Sequence, residues 1–460
     1  MDYHTGFFEA VLVTVNILRY RTGESDYMDC DICMLVNNNV TNDVRVMKEA
    51  TSLASHGFRV IVIGLVNETE KVAREENVNG FTVVRIFKNN SFFWIRRRDQ
   101  GSNSKMGVFN PNRLAFSFYD HFPYRAFPAR LARAVYYRIL GPLWRILTKI
   151  FHGQLYDGLT KQLREVNAHW YHAHDFPALE QIMLAGIPAA KIVYDSHELF
   201  FDRQPTDSPK IVKWRKYVFE RMQEKAYAGR IATIITVSDS IADHMMAKWK
   251  VRRPIVVRNA VDLRSLGKKG AHFQIANKKI VVHSGNITFG RHLPELVAAL
   301  SFLPEDIALV LMGEAREYIL TTLLKIANSN GVDRRLIIQT PVSLQDVIPT
   351  LEQADLGAVL FTQDALNYKL GLPNKFFEYV AAGLPIVVGR AQEIAAIVRE
   401  YNLGVVCDET NPRAIAAAIQ EVLDPENYDR FRSNAKAARE VLNWEHEEQT
   451  LVKLYQALDR

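Results

Sequence analysis

The chain has 460 residues and a formal net charge of +6, from 57 Lys plus Arg against 51 Asp plus Glu. This length predicts two to four domains, and a composition of 48% hydrophobic and 23% charged residues excludes a mainly disordered chain. Three cysteines are too few for a disulfide framework and favour a reducing compartment such as the cytoplasm. Two of them form a C-x-x-C with no second cysteine pair, so no structural zinc site is predicted.

The positive charge is concentrated in one part of the chain. Residues 85–165 carry a net charge of +11 and 16 of the 48 aromatic residues, whereas the rest of the chain sums to −5. Such a segment predicts an anionic partner: a membrane surface, a phosphorylated substrate or nucleic acid. Because no nucleic-acid recognition motif accompanies it, no nucleic-acid partner is predicted. Contact with an anionic membrane surface is predicted for residues 90–127.

The first part of the chain predicts neither a membrane span nor a signal peptide. No run of 18 apolar residues occurs, and the apolar stretch at residues 7–18 has no basic segment before it. The first convincing strand follows Met28, so residues 1–27 are interpreted as an N-terminal appendage.

The pattern up to residue 250 predicts alternating strands and helices. Short apolar runs predict buried strands, and apolar residues at helical spacing predict the helices between them. The predicted strands are residues 32–36, 60–65, 81–87, 169–173, 192–194 and 232–237. The predicted helices are residues 43–56 and 210–228, with an apolar stripe in 143–163 expected to pack on the sheet. Strand–helix–strand order with short connections is typical of a parallel sheet.

A second alternating series follows a predicted hinge at residues 251–278. Its predicted strands are residues 280–283, 308–312, 336–339, 356–360 and 386–388. Its predicted helices are residues 293–301, 316–329, 343–353, 374–382, 391–401, 412–423 and 428–457. The fold class is therefore predicted as α/β, with two Rossmann-like doubly wound domains facing across a cleft, the default position for an active site.

Domain boundaries follow from this pattern. An N-terminal Rossmann-like domain is predicted over residues 28–255, with a basic aromatic insertion at 88–141. A second Rossmann-like domain is predicted over 256–440, and the helix at 441–460 is expected to pack back on the N-terminal domain.

The segment GLPNKFFEYVAAGLPIVV, residues 371–388, contains a short helix that Asn374 opens and Gly383 ends. The free N–H groups of a helix N-terminus attract a diphosphate. Lys375 in the first turn adds a full charge, and Glu378, one turn later, can accept from ribose hydroxyls. Taken alone, the same residues also fit an ordinary surface helix.

The segment HSGNITFGR, residues 283–291, predicts a turn between a strand and a helix. Gly285 lets the backbone approach a ligand, Asn286 follows it, and Arg291 can grip a phosphate with two hydrogen bonds. The segment lacks the G-x-G-x-x-G pattern, so NAD binding is not predicted. A tight turn with a surface arginine fits the segment equally well.

Polar residues also cluster where strands of the first series end. HAHD at 172–175 and DSHE at 195–198 follow two strands, so we expect their polar side chains to line the cleft. These are His174, Asp175, Asp195, His197 and Glu198, joined at the end of the first strand by Asn38, Asn39 and Arg45. A metal site is the less favoured alternative, because the spacing is not that of H-E-x-x-H. The D-x-D at 29–31 is interpreted as polar sequence before the first strand, and no metal ligands are assigned.

Together, these segments resemble the retaining family 4 glycosyltransferases of GT-B fold, and most closely the bacterial, polysaccharide-making branch. The resemblance spans roughly residues 30–458. It is carried by NDVRVMKEATSLASHGFRVIVIG (42–64), YHAHD (171–175), VYDSHELF (193–200), VVRNAVD (256–262), HSGNITFGR (283–291), ALNYKLGLPNKFFEYVAAGLPIVV (365–388) and NWEHE (443–447). Each is moderately specific, and their order and spacing together are strongly specific.

The resemblance implies that the domain at 28–255 is the acceptor domain and that the domain at 256–440 is the nucleotide-sugar domain. It also implies roles for four residues. Arg291 and Lys375 match the positive groups on the donor diphosphate, and Glu378 matches the second glutamate of the E-x7-E motif, which binds the ribose. His174 matches a cleft histidine near the transferred sugar. The chain departs from the family at Leu370, where the first glutamate of the motif belongs, and at Asn286, where many members have a phosphate-binding arginine.

The sequence therefore predicts a hexosyltransferase that moves a sugar from a nucleotide-diphosphate donor to a glycan or lipid-diphosphate acceptor with retention. No cofactor is predicted, and metal-independent transfer is expected. The predicted location is the cytoplasm or the inner face of the plasma membrane. Two alternatives remain: another GT-B enzyme on nucleotide sugars, such as an epimerase or phosphorylase, and a non-catalytic nucleotide-sugar-binding scaffold.

Overall fold

The computed structural model describes residues 28–67, 70–87, 157–202, 221–267, 273, 277–288 and 290–459. The appendage at 1–27 and the whole insertion at 88–141, with the predicted membrane segment at 90–127, lie outside these residues. So do the first parts of the apolar stripe at 143–163 and of the helix predicted at 210–228. Within the described ranges, residues 32–88 and 170–460 belong to one compact unit. No helix in the described ranges is long and apolar enough to cross a membrane.

The N-terminal part of the chain builds an eight-stranded sheet. Its strands are β1 Met28–Val36, β2 Val60–Val66, β3 Glu75–Val78, β4 Phe81–Phe87, β5 Val166–His174, β6 Ile192–Ser196, β7 Thr233–Thr236 and β8 Ile255–Val256. They lie in the order β3-β4-β2-β1-β5-β6-β7-β8. The short edge strand β3 is antiparallel to β4, whereas the pairs β1–β2, β2–β4, β5–β6, β6–β7 and β7–β8 are parallel.

Five described helices accompany this sheet. They are α1 Val44–Ser55, α2 Asp157–Glu165, α3 Asp175–Leu184, α4 Arg221–Ala228 and α5 Asp239–Trp249. Helix α1 begins because the Asp43 side chain accepts from the backbone N–H of Val46. Its apolar face, with Val46, Ala50 and Leu53 fully buried, packs in the core against strand residues such as Ile32 and Val62.

The C-terminal part of the chain builds a six-stranded parallel sheet. Its strands are β9 Lys279–Ser284, β10 Ile307–Met312, β11 Leu336–Gln339, β12 Leu356–Val359, β13 Ile386–Val388 and β14 Gly404–Val406. They lie in the order β11-β10-β9-β12-β13-β14. The helices are α6 Leu293–Ala299, α7 Glu317–Ser329, α8 Val347–Leu351, α9 Leu366–Leu370, α10 Asn374–Ala381, α11 Gln392–Glu400, α12 Pro412–Leu423, α13 Pro425–Arg439 and α14 Trp444–Leu458.

Both sheets contain the strand order 3-2-1-4-5-6 of the doubly wound fold. In the first sheet the order changes direction between β1 and β5, and in the second between β9 and β12. Ligands of such sheets bind at this switch point, outside the carboxyl ends of the strands. The predicted α/β class with two parallel-sheet domains is confirmed. Apolar clusters cover both faces of the second sheet, as expected for strands buried on both sides.

Several predicted boundaries differ from the structure. Strand β1 begins at Met28, so Asp29 and Asp31 lie within it and not before it. The helix predicted over 428–457 is two helices, because α13 ends at Arg439 and the Asn443 side chain accepts from the N–H of His446 to begin α14. Short elements that lack a full apolar period, such as β3, β14 and α9, were missed.

The junction after β5 is tighter than the sequence predicts. The predicted polar loop after this strand is absent, because α3 begins at Asp175, directly after His174. Asp175 has φ of 64°, a left-handed conformation that aspartate tolerates better than most residues. This sharp turn places His174 and Asp175 at the carboxyl edge of the sheet.

Candidate functional site

The carboxyl end of β9 and the first turn of α10 form a positively charged site. Lys375 is 6% exposed, and its Nζ lies 2.9 Å from Nε2 of His283 at the end of β9. Gly285 has φ of +85°, which a residue with a side chain rarely adopts, and a Cβ there would lie 3.8 Å from the lysine Nζ. The exposed backbone at Gly285 and Asn286 therefore runs past the ammonium group.

Burial lowers the pKa of Lys375 well below its usual range, and the neighbouring Arg291 lowers it further, while Glu378 opposes both. Two basic side chains thus lie together, Lys375 buried and Arg291 partly exposed. Among the described residues, neither Arg291 nor Lys375 has a carboxylate oxygen within ion-pairing distance. Both side chains are therefore available to an anionic ligand.

The Arg291 guanidinium lies over an aromatic ring. It lies 5.3 Å from the ring centre of Phe361, which stacks on Tyr368 at 5.0 Å. Its Nε is buried, and no hydrogen-bond partner for it exists in the described part of the chain. This support positions the cation without neutralising it.

Glu378 is tied to the end of β9. Its Oε2 accepts from the Ser284 hydroxyl at 3.0 Å, and the adjacent Tyr379 hydroxyl accepts from the N–H of Ser284 at 2.8 Å. Burial raises the pKa of the Glu378 carboxyl, while the Ser284 hydrogen bond and Lys375 oppose the rise. Asn374, exposed at the start of α10, accepts from the Asn259 side chain at 2.9 Å.

Leu370, at the position of the first glutamate of the E-x7-E motif, has a buried apolar side chain. Its side chain is 6% exposed, and its carbonyl accepts from the Ser238 hydroxyl at 2.6 Å, at the start of α5. Three residues earlier, the Asn367 side chain donates to Glu198 Oε2 and accepts from the N–H of Leu199, both at 2.9 Å. Helix α9 thus joins the second domain to the loops that follow β6 and β7.

A second cluster lies at the carboxyl ends of β5 and β6. Arg45 on α1 donates to both oxygens of Asp195, at 2.8 and 2.7 Å, and to the carbonyl of Val257 at 2.9 Å. His174 Nδ1 and His197 Nε2 lie 3.2 and 2.9 Å from Asp195 Oδ2. The structure therefore brings together Arg45, His174, Asp195 and His197, which the sequence predicts to line one cleft.

The histidines of this cluster have opposite pKa shifts. Burial and the adjacent His172 lower the pKa of His174 to about 3, so its ring is neutral at pH 7. Burial by itself lowers the pKa of His197 as well, but the carboxylates of Asp175 and Asp195 outweigh it and raise the value to about 9. The Nε2 atom of His174 is buried, with no hydrogen-bond partner in the described ranges.

The remaining predicted cleft residues support the loops. The Asn38 side chain donates to Asp43 and accepts from the N–H of Val40, each at 2.8 Å. The Asn39 side chain donates to Glu70 at 2.7 Å. Asp175 Oδ1 accepts from the N–H of His197 at 3.2 Å. These contacts hold the loops after β1 and β6 in place.

Four residues of the second cluster have the composition of a metal site. One atom each from Glu49, His172, His174 and Asp195 lies within 4.8 Å of the others. However, the Arg45 guanidinium already donates to both Asp195 oxygens and lies 3.0 Å from Glu49 Oε1. A divalent cation there would face this fixed positive charge, so the residues present do not favour one.

Sequence reasoning missed Glu49 and His283 as members of these clusters. The signal for Glu49 is its position four residues after Arg45 on the otherwise apolar face of α1. His283 carries no local signal, because its partner Lys375 lies 92 residues away.

Two doubly wound domains with a cationic site at the switch point of the second define the GT-B class of architecture. Two family models match this chain: the model described as Glycosyltransferase Family 4 at residues 108–265, and the model described as Glycosyl transferases group 1 at residues 278–425. Together they cover about two thirds of the chain.

Three known glycosyltransferases or related proteins are similar to this chain in sequence or in structure. D-inositol 3-phosphate glycosyltransferase from Xylanimonas cellulosilytica is 26% identical over 179 residues, which are 38% of this chain and 42% of that protein. Sucrose-phosphate synthase from Thermosynechococcus elongatus matches with a TM-score of 0.65 at 14% identity, over 94% of this chain and 99% of that one. HepE of Anabaena, solved with UDP and glucose, matches with 0.62 at 15% identity, over 93% of this chain and 100% of that one.

The structural likeness, at these identities, shows the fold alone, and the sequence match spans less than half of the curated relative. Together with the two family models, which match successive parts of the chain, these findings bear out the predicted resemblance and support a family 4-like glycosyltransferase of GT-B fold.

Proposed function

We propose that the protein transfers a hexose-type sugar from a nucleoside diphosphate donor to a glycan or lipid-linked acceptor, with retention, in cell-surface polysaccharide biosynthesis. The observation that supports this most is the site at Arg291 and Lys375, where two adjacent basic side chains have no carboxylate ion pair among the described residues. Proteins of the same fold have been solved in complex with UDP and glucose, or bound with UDP-2-fluoro glucose.

The leaving group determines what this site must do. When the bond between the sugar carbon and the diphosphate oxygen breaks, negative charge grows on the diphosphate while the sugar becomes cationic. Positive groups that the protein holds fixed, in a site from which water is excluded, stabilise that charge without having to reorient. In this proposal, Lys375, Arg291 and the N-terminus of α10 supply that stabilisation, and Glu378 accepts from the ribose hydroxyls.

In this proposal, His174 positions the sugar or the acceptor through a hydrogen bond. Its neutral ring lies at the carboxyl end of β5, and Asp195 fixes its orientation through Nδ1. A neutral imidazole hydrogen-bonds a sugar or acceptor hydroxyl without forming a covalent bond. Retention then follows from attack on the same face from which the diphosphate leaves, with the leaving phosphate accepting the acceptor proton.

Substitution of the donor site tests the proposal. Lys375→Ala and Glu378→Ala are expected to reduce transfer about 100- to 1,000-fold while the circular dichroism spectrum stays native. Lys325→Ala, at an exposed lysine on α7, is the matched control. A thermal-shift screen over UDP-, GDP- and ADP-sugars identifies the donor for the assay. Near-normal transfer by both site variants would contradict the assignment.

The same assay separates the alternatives. A transferase releases sugar from the donor at a rate that depends on a separate acceptor, whereas an epimerase or phosphorylase does not. Donor binding by calorimetry with no turnover over any acceptor would instead indicate a binding scaffold.

We also propose that transfer needs no metal ion. Arg45 supplies the positive charge beside Asp195 that a cation would otherwise supply. Activity is therefore expected to be unchanged after dialysis against EDTA. A loss that Mg²⁺, Mn²⁺ or Zn²⁺ restores would overturn this point.

The acceptor is proposed to arrive at a membrane surface on the cytoplasmic side. The support is the net charge of +11 over residues 85–165, together with its aromatic residues, most of which lie outside the described ranges. Wild type is expected to sediment with vesicles that contain anionic lipid, and a variant with Arg96–Arg98 neutralised is expected to sediment less. Equal recovery of both proteins in the supernatant would refute membrane contact.

A further inference from the structure

The hydrogen bond between His283 and Lys375 limits the charge that the pair can carry. Both side chains are buried, at 1% and 6% exposure, and the two nitrogen atoms are 2.9 Å apart. A hydrogen bond needs one lone pair, and neither an imidazolium nor an ammonium offers one. The two groups therefore cannot both be protonated while this contact exists.

The groups around the pair come from three places in the chain. Arg291 follows β9, His283 lies on β9 itself, and Glu378 and Tyr379 lie on α10 beside Lys375. Glu378 is the one carboxylate of this set, and its Oε2 accepts from Ser284. Burial lowers the pKa of His283 well below its usual range, and the positive charges of Lys375 and Arg291 add to the effect, so this imidazole is neutral.

A diphosphate entering beside Gly285 changes this balance. It brings at least two negative charges next to Lys375 and Arg291, and an opposite charge within a few ångströms favours the protonated form of an amine. Without the anion, Arg291 and the dry surroundings favour the neutral amine. With it, Lys375 is an ammonium that donates one hydrogen to His283 and directs the others to the phosphate oxygens.

We propose that His283 is a positioning residue of the donor site: its unprotonated Nε2 holds the Lys375 Nζ against the diphosphate, and nucleotide binding draws one proton from solvent onto that nitrogen. The inference rests on the proposed function, because it requires a diphosphate in this site. The proton passes from the buffer to Nζ, and no covalent bond of the nucleotide changes.

Calorimetry measures the proton directly. UDP, GDP and ADP are titrated into the full chain at pH 8.5, in Tris and in a buffer of low ionisation enthalpy. At this pH a terminal phosphate, with a pKa near 6, is already fully ionised and takes up nothing. Wild type is expected to take up a fraction of a proton, at most one, for each nucleotide bound. Lys375→Arg is expected to take up none, because a guanidinium remains charged.

Variants of His283 test its part. His283→Ala removes the acceptor and is expected to weaken nucleotide binding about tenfold and to move the alkaline fall in affinity to lower pH. His283→Gln keeps an acceptor oxygen near the place of Nε2 and is expected to restore much of the affinity. Lys325→Met, at an exposed lysine on α7, is expected to behave as wild type.

The outcomes distinguish the two proposals. If wild type binds a nucleotide without proton uptake, or if the pH profile of His283→Ala coincides with that of wild type, the role of His283 is wrong and the donor site stands. If wild type binds none of the three nucleotides, the donor site itself is wrong. The wild-type calorimetry does not depend on the folding of any variant.

Discussion

Asp195 and Glu224 are both buried carboxyl groups, yet their pKa values move in opposite directions. Burial alone raises the pKa of Asp195, but Arg45 and His197 outweigh it and hold the value well below its usual range. Glu224 accepts from the Tyr194 hydroxyl at 2.6 Å, and burial raises its pKa to about 8, because a neutral hydroxyl opposes desolvation less than a guanidinium does. Residue type alone therefore does not determine the charge of a buried carboxyl.

Glu224 predicts a pH-dependent loss of stability. Its pKa is about 8 in the folded chain against 4.5 as a free group, so its contribution is fully present below pH 4.5 and is lost as the pH rises through 8. Glu224→Gln keeps an oxygen that can accept from Tyr194 and does not ionise. The free energy of unfolding of this variant, relative to wild type, is therefore expected to rise between pH 5 and pH 8 in urea titrations.

The control for this experiment is Glu421→Gln, at an exposed glutamate of α12. Its difference from wild type is expected to be the same at both pH values. A Glu224→Gln difference that is equally constant would show that Glu224 is ionised in the folded chain at pH 5.

At the scale of elements, the start of α5 is completed by residues of the second domain. The Glu393 carboxylate on α11 accepts from the N–H groups of Asp239 and Ser240, at 3.2 and 3.0 Å. The Ser238 hydroxyl accepts from the N–H of Ile241 and donates to the Leu370 carbonyl. Because the first N–H groups of a helix have no partners within it, these contacts stabilise α5 and join the two domains at once.

Glu393→Ala is expected to lower the free energy of unfolding by about 1–2 kcal/mol, because two N–H groups lose their acceptor and the helix dipole loses a negative charge. Hydrogen exchange of the Asp239 and Ser240 amides is expected to accelerate. Gln392→Ala is the matched control, since this exposed neighbour makes a single contact of 3.2 Å with the Ser240 hydroxyl. Equal effects of the two variants would argue against a capping role for Glu393.

At the scale of the whole molecule, the last helix connects the second sheet to the first. The fully buried Trp444 at the start of α14 donates from Nε1 to the Ser52 hydroxyl on α1 at 2.8 Å, and its N–H donates to the Val261 carbonyl at 2.9 Å. Near the end of the same helix, the Tyr455 hydroxyl lies 2.7 Å from His172 Nδ1. Helix α14, although it lies near the C-terminus of the sequence, therefore places a tyrosine next to the second cluster, beside His172 and His174.

Trp444→Ala is expected to lower the free energy of unfolding by about 3–5 kcal/mol, through the cavity it leaves and the loss of the bond to Ser52. Val441→Ala removes a side chain that is 44% exposed three residues earlier, and a change within about 0.5 kcal/mol is expected. Urea unfolding followed by circular dichroism measures both variants. A small effect of Trp444→Ala would mean that α14 is not part of the cooperative unit.

Local pattern was sufficient for many of the repeating elements and for the segment around α10. The apolar runs of β2 and β4, the helix at α10 and the order of both series follow from periodicity and from residues such as Gly383 that end helices. The family also follows from local segments, because their order along the chain is itself specific. These features depend on neighbours in sequence, where the physical constraint acts over a few residues.

Only the tertiary structure decided which charged and polar groups come into contact. Glu393 completes a helix 154 residues away, Asp195 meets Arg45 across 150 residues, and Lys375 meets His283 across 92. Such contacts depend on which strand ends the fold brings together, and the pKa of each group depends on burial and on its partner. Sequence by itself therefore determined the fold class and the segments that carry Arg291 and Lys375. The tertiary structure decided which groups these side chains contact and, through burial, in which direction their pKa values move.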